Sequence, residues 1–156
     1  MPNGSSAFLV DTNVLVYAYD STDKDKQAQA IAVLEEFGRR RLGALSGQIL
    51  GEFFVTVTRK IPQPLTTAEA GQSVTNYARS WIVYDLTALV VLEAVRGLQQ
   101  HRLPYWDSLI WATAKLNSIP NVLSEDFSDG ALLEGVRFLN PFTKTFDLTA
   151  LLQPLR

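Results

Sequence analysis

The sequence predicts an α/β fold, an α/β/α sandwich with a mostly parallel central sheet. Two patterns predict it. Short, wholly apolar runs such as AFLV at residues 7–10 suit strands covered on both faces. Segments with a helical period alternate with those runs, as β–α–β crossovers require. A third observation shows where such a sheet would work. Asp11 and Asp126 each follow an apolar strand candidate, and ligands gather outside the carboxyl ends of strands in open α/β sheets.

The elements follow in order. Residues 7–10 form the first strand, Asp11 stands at its carboxyl end, and Thr12 or Asn13 caps a helix through 14–19. Residues 23–37 read as a second helix, with Ile31, Leu34 and Phe37 in register and Gly38 as the stop signal. GALS at 43–46 is a second strand. Ser46 starts a helix carrying Ile49, Leu50, Phe53, Phe54 and Val57, which Pro62 and Pro64 close. A helix over 66–79 has Thr66 or Thr67 as its cap and Glu69 in the first turn. WIVYDL at 81–86 is β-rich, 87–100 returns to a helical period, and 106–115 is a compact helix with Leu109, Ile110 and Ala112 for packing. NVLS at 121–124 and GVRFLNP at 135–141 are the last two strands, and 145–155 ends in a turn of helix that docks on the body or on a partner.

Composition narrows the chemistry. With 156 residues, 47% of them hydrophobic and 19% charged, the chain reads as one globular domain over 1–156. The absence of cysteine excludes disulfides, iron–sulfur clusters, thiolate zinc sites and Cys nucleophiles. A single histidine, His101, excludes a multi-His metal site. Any metal here would be held by oxygen, which favours Mg²⁺ or Mn²⁺ (or Ca²⁺). The start carries no positive n-region, and no apolar run reaches the ~18 residues of a membrane span. A cytoplasmic protein is expected. A net charge of −2 does not advertise nucleic-acid binding, although surface charge can be segregated.

Four carboxylates stand at the edges of apolar segments: Asp11 in FLVDTNVLVY, Glu52 in QILGEFFVTV, Asp107 in YWDSLIWATA and Asp126 in NVLSEDFSDG. Such placement is costly unless something offsets the desolvation. No Lys or Arg is equally well placed in those segments, so a divalent cation is the natural counter-charge. Each acid also has an ordinary structural reading. Asp11 would cap a helix, Glu52 would lie on a solvated helix face, Asp107 would meet a helix dipole, and Asp126 would form a turn. Asp129 reads best as a turn residue, and His101 as a helix-end or surface residue. Trp81, Trp106 and Trp111 read as core before base-stacking platforms.

The order DTNVLVYAYD, QILGEFF, YWDSLIWATA, LSEDFSDG and VRFLNPF resembles the PIN domain. More narrowly, it is similar to the VapC-type toxin ribonucleases of bacterial toxin–antitoxin pairs. The resemblance covers a motif-bearing core of about 8–142 and leaves 143–156 as a C-terminal tail. It implies a parallel sheet flanked by helices, an acidic quartet, Mg²⁺ or Mn²⁺, and cleavage of RNA phosphodiesters. The quartet falls on Asp11, Glu52, Asp107 and Asp126, with Asp11 and Asp107 given the direct metal contacts. Asn13 and Ser124 fall where the family places small polar residues that support the carboxylates, and Asp129 where an auxiliary acid can stand. A cognate antitoxin and a homodimer are the implied protein partners, and Phe53, Phe54, Tyr77 and Trp81 are candidates for the apolar surface they would cover. Residues 39–41 and 59–60, both basic, are candidate phosphate contacts.

A non-catalytic PIN-like module that binds RNA or protein is the alternative function; an incomplete quartet would favour it. A receiver-type phosphoacceptor wants an acidic pair after its first strand and a late Lys, and an aspartyl phosphatase wants D-x-D. This chain has D-T-N.

Overall fold

A computed structural model describes residues 6–153. The outermost residues, 1–5 and 154–156, lie outside the described residues, and with them most of the N-terminal segment and the end of the expected terminal helix. Six strands form one sheet: β1 (Phe8–Val10), β2 (Gly43–Ser46), β3 (Ile82–Tyr84), β4 (Asn121–Leu123), β5 (Leu132–Leu133) and β6 (Val136–Leu139). Their order is β3-β2-β1-β4-β6-β5, parallel throughout except for β5, which pairs antiparallel with β6. The α/β fold read from the sequence is the fold observed.

The apolar runs explain the centre of the sheet. Leu9 and Val10 of β1 are fully buried, as are Ala44 and Leu45 of β2 and Val122 and Leu123 of β4. Such strands have no solvent face, as a parallel sheet covered on both sides demands. From β1 the order runs through β2 and β3 to one edge, and β4 starts the other half. The chain therefore reverses direction across the sheet between β1 and β4, and the carboxyl ends of those two strands flank a crevice.

Among the described residues, seven helices connect and flank the strands: α1 (Thr12–Tyr17), α2 (Lys24–Arg40), α3 (Gly47–Arg59), α4 (Thr67–Ser80), α5 (Ala88–His101), α6 (Tyr105–Leu116) and α7 (Leu148–Leu151). Their starts follow local chemistry. Ser46 accepts from the Ile49 amide at 3.2 Å, and Thr66 forms a reciprocal capping box with Glu69. Only α6 begins without help. Pro104 occupies its cap position and supplies no side-chain hydrogen bond.

Three details differ from the sequence reading. Helix α2 runs through Gly38 to Arg40, and Arg41 closes it in the left-handed region. Gly38 does not end the helix, and a Cβ there would make only ordinary contact with the Trp81 indole, 3.4 Å from its nitrogen. Gly43 makes room for the same ring. Strand β5 was not anticipated, since two residues carry no period. Glu134 and Gly135, both at positive φ, form the two-residue turn that joins it to β6. Finally, α1 ends at Tyr17, two residues early. Among the described residues, no helix is long and apolar enough to cross a membrane.

Candidate active site

Asp11 ends β1 and caps α1. Its amide donates to the Leu123 carbonyl of β4 at 2.9 Å, which fixes it over the crevice between the two strands. One carboxylate oxygen accepts from the Thr12 amide at 2.7 Å, the other from the Ser124 hydroxyl at 2.7 Å. The residue is only 4% exposed. Burial pushes its carboxyl up from 3.8 to about 7, Asp126 and Asp107 add repulsion, and the two hydrogen bonds pull the other way.

The turn after β4 is bound to the start of α1. Ser124 donates to Asp11 and accepts from the Asn13 side-chain amide and the Asp126 backbone amide, each at 3.1 Å. Asn13 Nδ2 also donates to Asp126 Oδ2 at 3.1 Å, and Asn13 Oδ1 accepts from the Glu125 amide at 3.3 Å. The D-T-N triplet thus supplies both a buried acid and the amide that holds a distant one. Glu125 points away, accepting from Tyr17 at 2.6 Å and pairing with Lys26 at 2.9 Å. Glu125, and then Tyr17, push the Lys26 ammonium up to about 12.

Glu52 sits one turn into α3 and reaches the crevice. Thr12 Oγ1 donates to one of its oxygens at 3.0 Å and Gln48 Nε2 to the other at 3.0 Å. Gln48 Nε2 also donates to the Trp106 carbonyl at 3.2 Å, which ties α3 to the first turn of α6. The Gln48 Oε1 atom is buried without a donor among the described residues, but flipping the amide would set that oxygen against the Glu52 carboxylate. Asp107 follows in the same turn of α6. Its half-burial raises its pKa, and the charges of Asp126 and Glu52 raise it further.

The four acids therefore share one end of the sheet and repel one another. Among the described residues, no Lys, Arg or His forms an ion pair with any of them. Nor do any three stand as a ready-made ligand set for a metal ion. The donor chemistry nonetheless fits a hard cation. All donors are oxygen, one is buried and uncompensated, and Mg²⁺ characteristically takes one or two carboxylates and keeps its waters.

The sequence model of the PIN domain matches residues 8–128, the stretch that contains all four acids. The chain belongs to the PIN domain family. A comparison with curated protein sequences finds no match. Among solved structures, a toxin–antitoxin complex from Klebsiella pneumoniae superposes with a TM-score of 0.62 at 20% identity, covering 86% of this chain and 97% of that one. DNA-bound VapBC from Salmonella typhimurium gives 0.61 at 15% identity, covering 87% and 98%. The sarcin–ricin-loop-cleaving toxin VapC20 of Mycobacterium tuberculosis gives 0.57 at 16%, covering 74% and 86%. At these identities the likeness is one of fold.

Other predicted residues of this PIN domain fall elsewhere. Asp129 accepts from the Asn140 amide at 2.9 Å and holds the turn before β5, as the structural reading expected. Arg39 and Arg40 pair with Glu36 at the end of α2, just before Gly43, and Gly43 pairs with Phe8 at the start of β1. They are thus at the end of the sheet opposite Asp11, whereas Arg59 and Lys60 close α3. Among the described residues, neither basic run pairs with any of the four acids. His101 ends α5, where it pairs with Glu134 at 2.6 Å and packs edge-on against Trp111.

The aromatic expectations need correction. Phe53 is fully buried, and Phe54, Tyr77 and Trp81 are half-buried. Tyr19, Phe53, Tyr77 and Trp81 form a chain of edge-to-face contacts that joins α3 to α4. Among the described residues, the most exposed large apolar side chains are instead Leu89 and Leu92 on α5, 70% and 66% exposed, and Trp106. Trp111 is core as expected; Trp106 is 61% exposed. The sequence reading also passed over Gln48, Thr12 and Glu125. Of these only Gln48 carried a local signal, one helical turn before Glu52 on the same face.

Proposed function

We propose that this PIN domain, acting as one domain over 1–156, is a metal-dependent endoribonuclease that hydrolyses RNA phosphodiester bonds as the toxin of a type II toxin–antitoxin pair. The observation that carries the reading is the buried Asp11 carboxylate, which Asp126 and Asp107 repel and which no Lys, Arg or His pairs with among the described residues. The similar structures support it: they include a toxin–antitoxin complex and a sarcin–ricin-loop-cleaving toxin. The exposed Leu89 and Leu92 support a protein partner, either an antitoxin or a second copy of the chain. The cytoplasm is the compartment that goes with these partners.

Asp11 and Asp107 would hold Mg²⁺ or Mn²⁺ directly, with Glu52 and Asp126 bound through water. When bound, the cation offsets charge building on the phosphoryl oxygens and acidifies water. The rest falls to the chain. Ser124 and the Thr12 amide keep Asp11 aimed at the crevice, and Thr12 and Gln48 fix both oxygens of Glu52. Asp126 is held by Oδ2 alone, which leaves Oδ1 to orient the attacking water and accept its proton.

The test is cleavage of a mixed RNA pool by purified protein with Mn²⁺, Mg²⁺ or EDTA, beside Asp11→Asn. Metal-dependent cutting lost in the variant is expected. Equal traces from both proteins would favour a non-catalytic RNA- or protein-binding module. The lack of a ready-made ligand set among the described acids is the observation on that side.

A further inference from the structure

Trp106 is 61% exposed in the turn of α6 that carries Asp107. An indole left in water forgoes the burial that large aromatic side chains usually obtain. Its backbone is nevertheless firmly placed. The Trp106 carbonyl accepts from Gln48, the same side-chain nitrogen holds Glu52, and the Tyr105 ring braces the indole edge-on at 5.1 Å. The Trp106 backbone is thus tied through Gln48 to Glu52, and the residue stands immediately before Asp107 on α6.

We infer that Trp106 is a stacking platform for an unpaired nucleobase beside the scissile phosphodiester. The inference rests on the nuclease reading of the acidic site. The four carboxylates repel the phosphates, and among the described residues no Lys or Arg pairs with any of them. Stacking supplies affinity that does not depend on charge, about 1–3 kcal/mol per base. Every base has a π-face, so the contact tolerates sequence. A base inside a duplex keeps its faces against its neighbours and cannot use the platform.

The experiment titrates the full-length protein in EDTA with a short single-stranded RNA, and with the matching duplex, while following tryptophan emission. Trp111 is fully buried and Trp81 half-buried, so Trp106 is the most accessible of the three indoles. The single strand is expected to quench the emission saturably and the duplex to leave it unchanged. Trp106→Ala is expected to weaken single-strand binding, measured by anisotropy of a labelled RNA, by about five- to 150-fold, the range that one lost stack implies. Trp106→Tyr should recover most of it, which separates loss of an aromatic face from damage to the fold. Unchanged emission, equal quenching by duplex, or unaltered affinity of Trp106→Ala would overturn the inference and leave the ring as a contact for a protein partner. Cleavage with Mn²⁺, run in parallel, keeps the two readings apart. Cutting by the wild type with an unaltered KM in Trp106→Ala sinks the platform alone. Stacking without cutting sinks the nuclease reading alone.

Discussion

The Ser124 hydroxyl donates to the Asp11 carboxylate at 2.7 Å across 113 residues of sequence, joining the end of β4 to the end of β1. This bond favours the charged acid in a place where burial disfavours it. Its two ends therefore differ in what they do for the fold. Ser124 satisfies three polar groups at once, whereas Asp11 brings a charge that nothing in the described chain neutralises.

Opposite responses are expected at those two ends. Asp11→Asn keeps one oxygen acceptor, so it gives up one of the two bonds from the Thr12 amide and Ser124, but it removes a repelled buried charge; it should abolish RNA cleavage and leave or raise the Tm in EDTA. Ser124→Ala orphans the Asn13 and Asp126 donors and should lower stability by roughly 1–3 kcal/mol. Thermal denaturation of both variants in EDTA decides it. A loss in Asp11→Asn as large as in Ser124→Ala would make Asp11 a structural cap.

The metal-free protein should lose stability as pH rises. Asp11 titrates near 3.8 when unfolded and about 7 when folded, so the folded state holds the proton more tightly. Its contribution is fully present below about 3.8 and is lost as pH rises through about 7. Asp107 is raised too and acts in the same direction. Glu134, lowered from 4.5 to about 2 by His101 and Arg96, has the opposite sign but a different window. Its contribution is lost as pH falls from 4.5 toward 2 and is constant above that range. Between about pH 5 and 7 the Tm in EDTA should therefore fall, and Asp11→Asn should flatten the slope. An equal slope in the variant would count against the raised Asp11.

Mg²⁺ or Mn²⁺ should raise the Tm of the native protein by mass action, with about 2.7 kcal/mol of stabilisation at a hundredfold excess over Kd. A cation must displace the proton held on Asp11, so the shift should be larger at pH 8 than at pH 6 and absent in Asp11→Asn. Differential scanning fluorimetry at the two pH values measures it. No shift at saturating metal would leave the acids without a cation site.

Much of this was legible locally. The apolar runs specified the central strands, Ser46 and Thr66 marked helix starts, and each of the four acids stood beside an apolar segment. What the sequence hid depends on tertiary faces. Glu52 and Phe53 are adjacent on α3, yet one turns to the crevice and the other to the core, and only the packing of α4 decides which aromatic is covered. Trp81 and Trp106 look alike in sequence; Gly43 receives the first ring, and the second has no such socket. One partner of Glu52 was hidden for the same reason, since Thr12 lies 40 residues away.

Lys26 offers a separation between holding the fold and holding the site. Its ion pair with Glu125 is partly exposed, 35% and 23% at the two side chains, and such pairs contribute only about 0–1 kcal/mol to stability. Yet Glu125 lies between Ser124 and Asp126, and Lys26 and Tyr17 anchor its side chain while Asn13 anchors its backbone. Lys26→Met should therefore change the Tm little and still reduce metal-dependent cleavage, because the turn bearing Asp126 loses one of its supports. The reduction should appear as a higher metal concentration for half-maximal rate, and Lys26→Arg, which keeps the charge, should restore it. A metal dependence unchanged in Lys26→Met would confine the pair to the protein surface, and a loss well above about 1 kcal/mol would make it part of the fold.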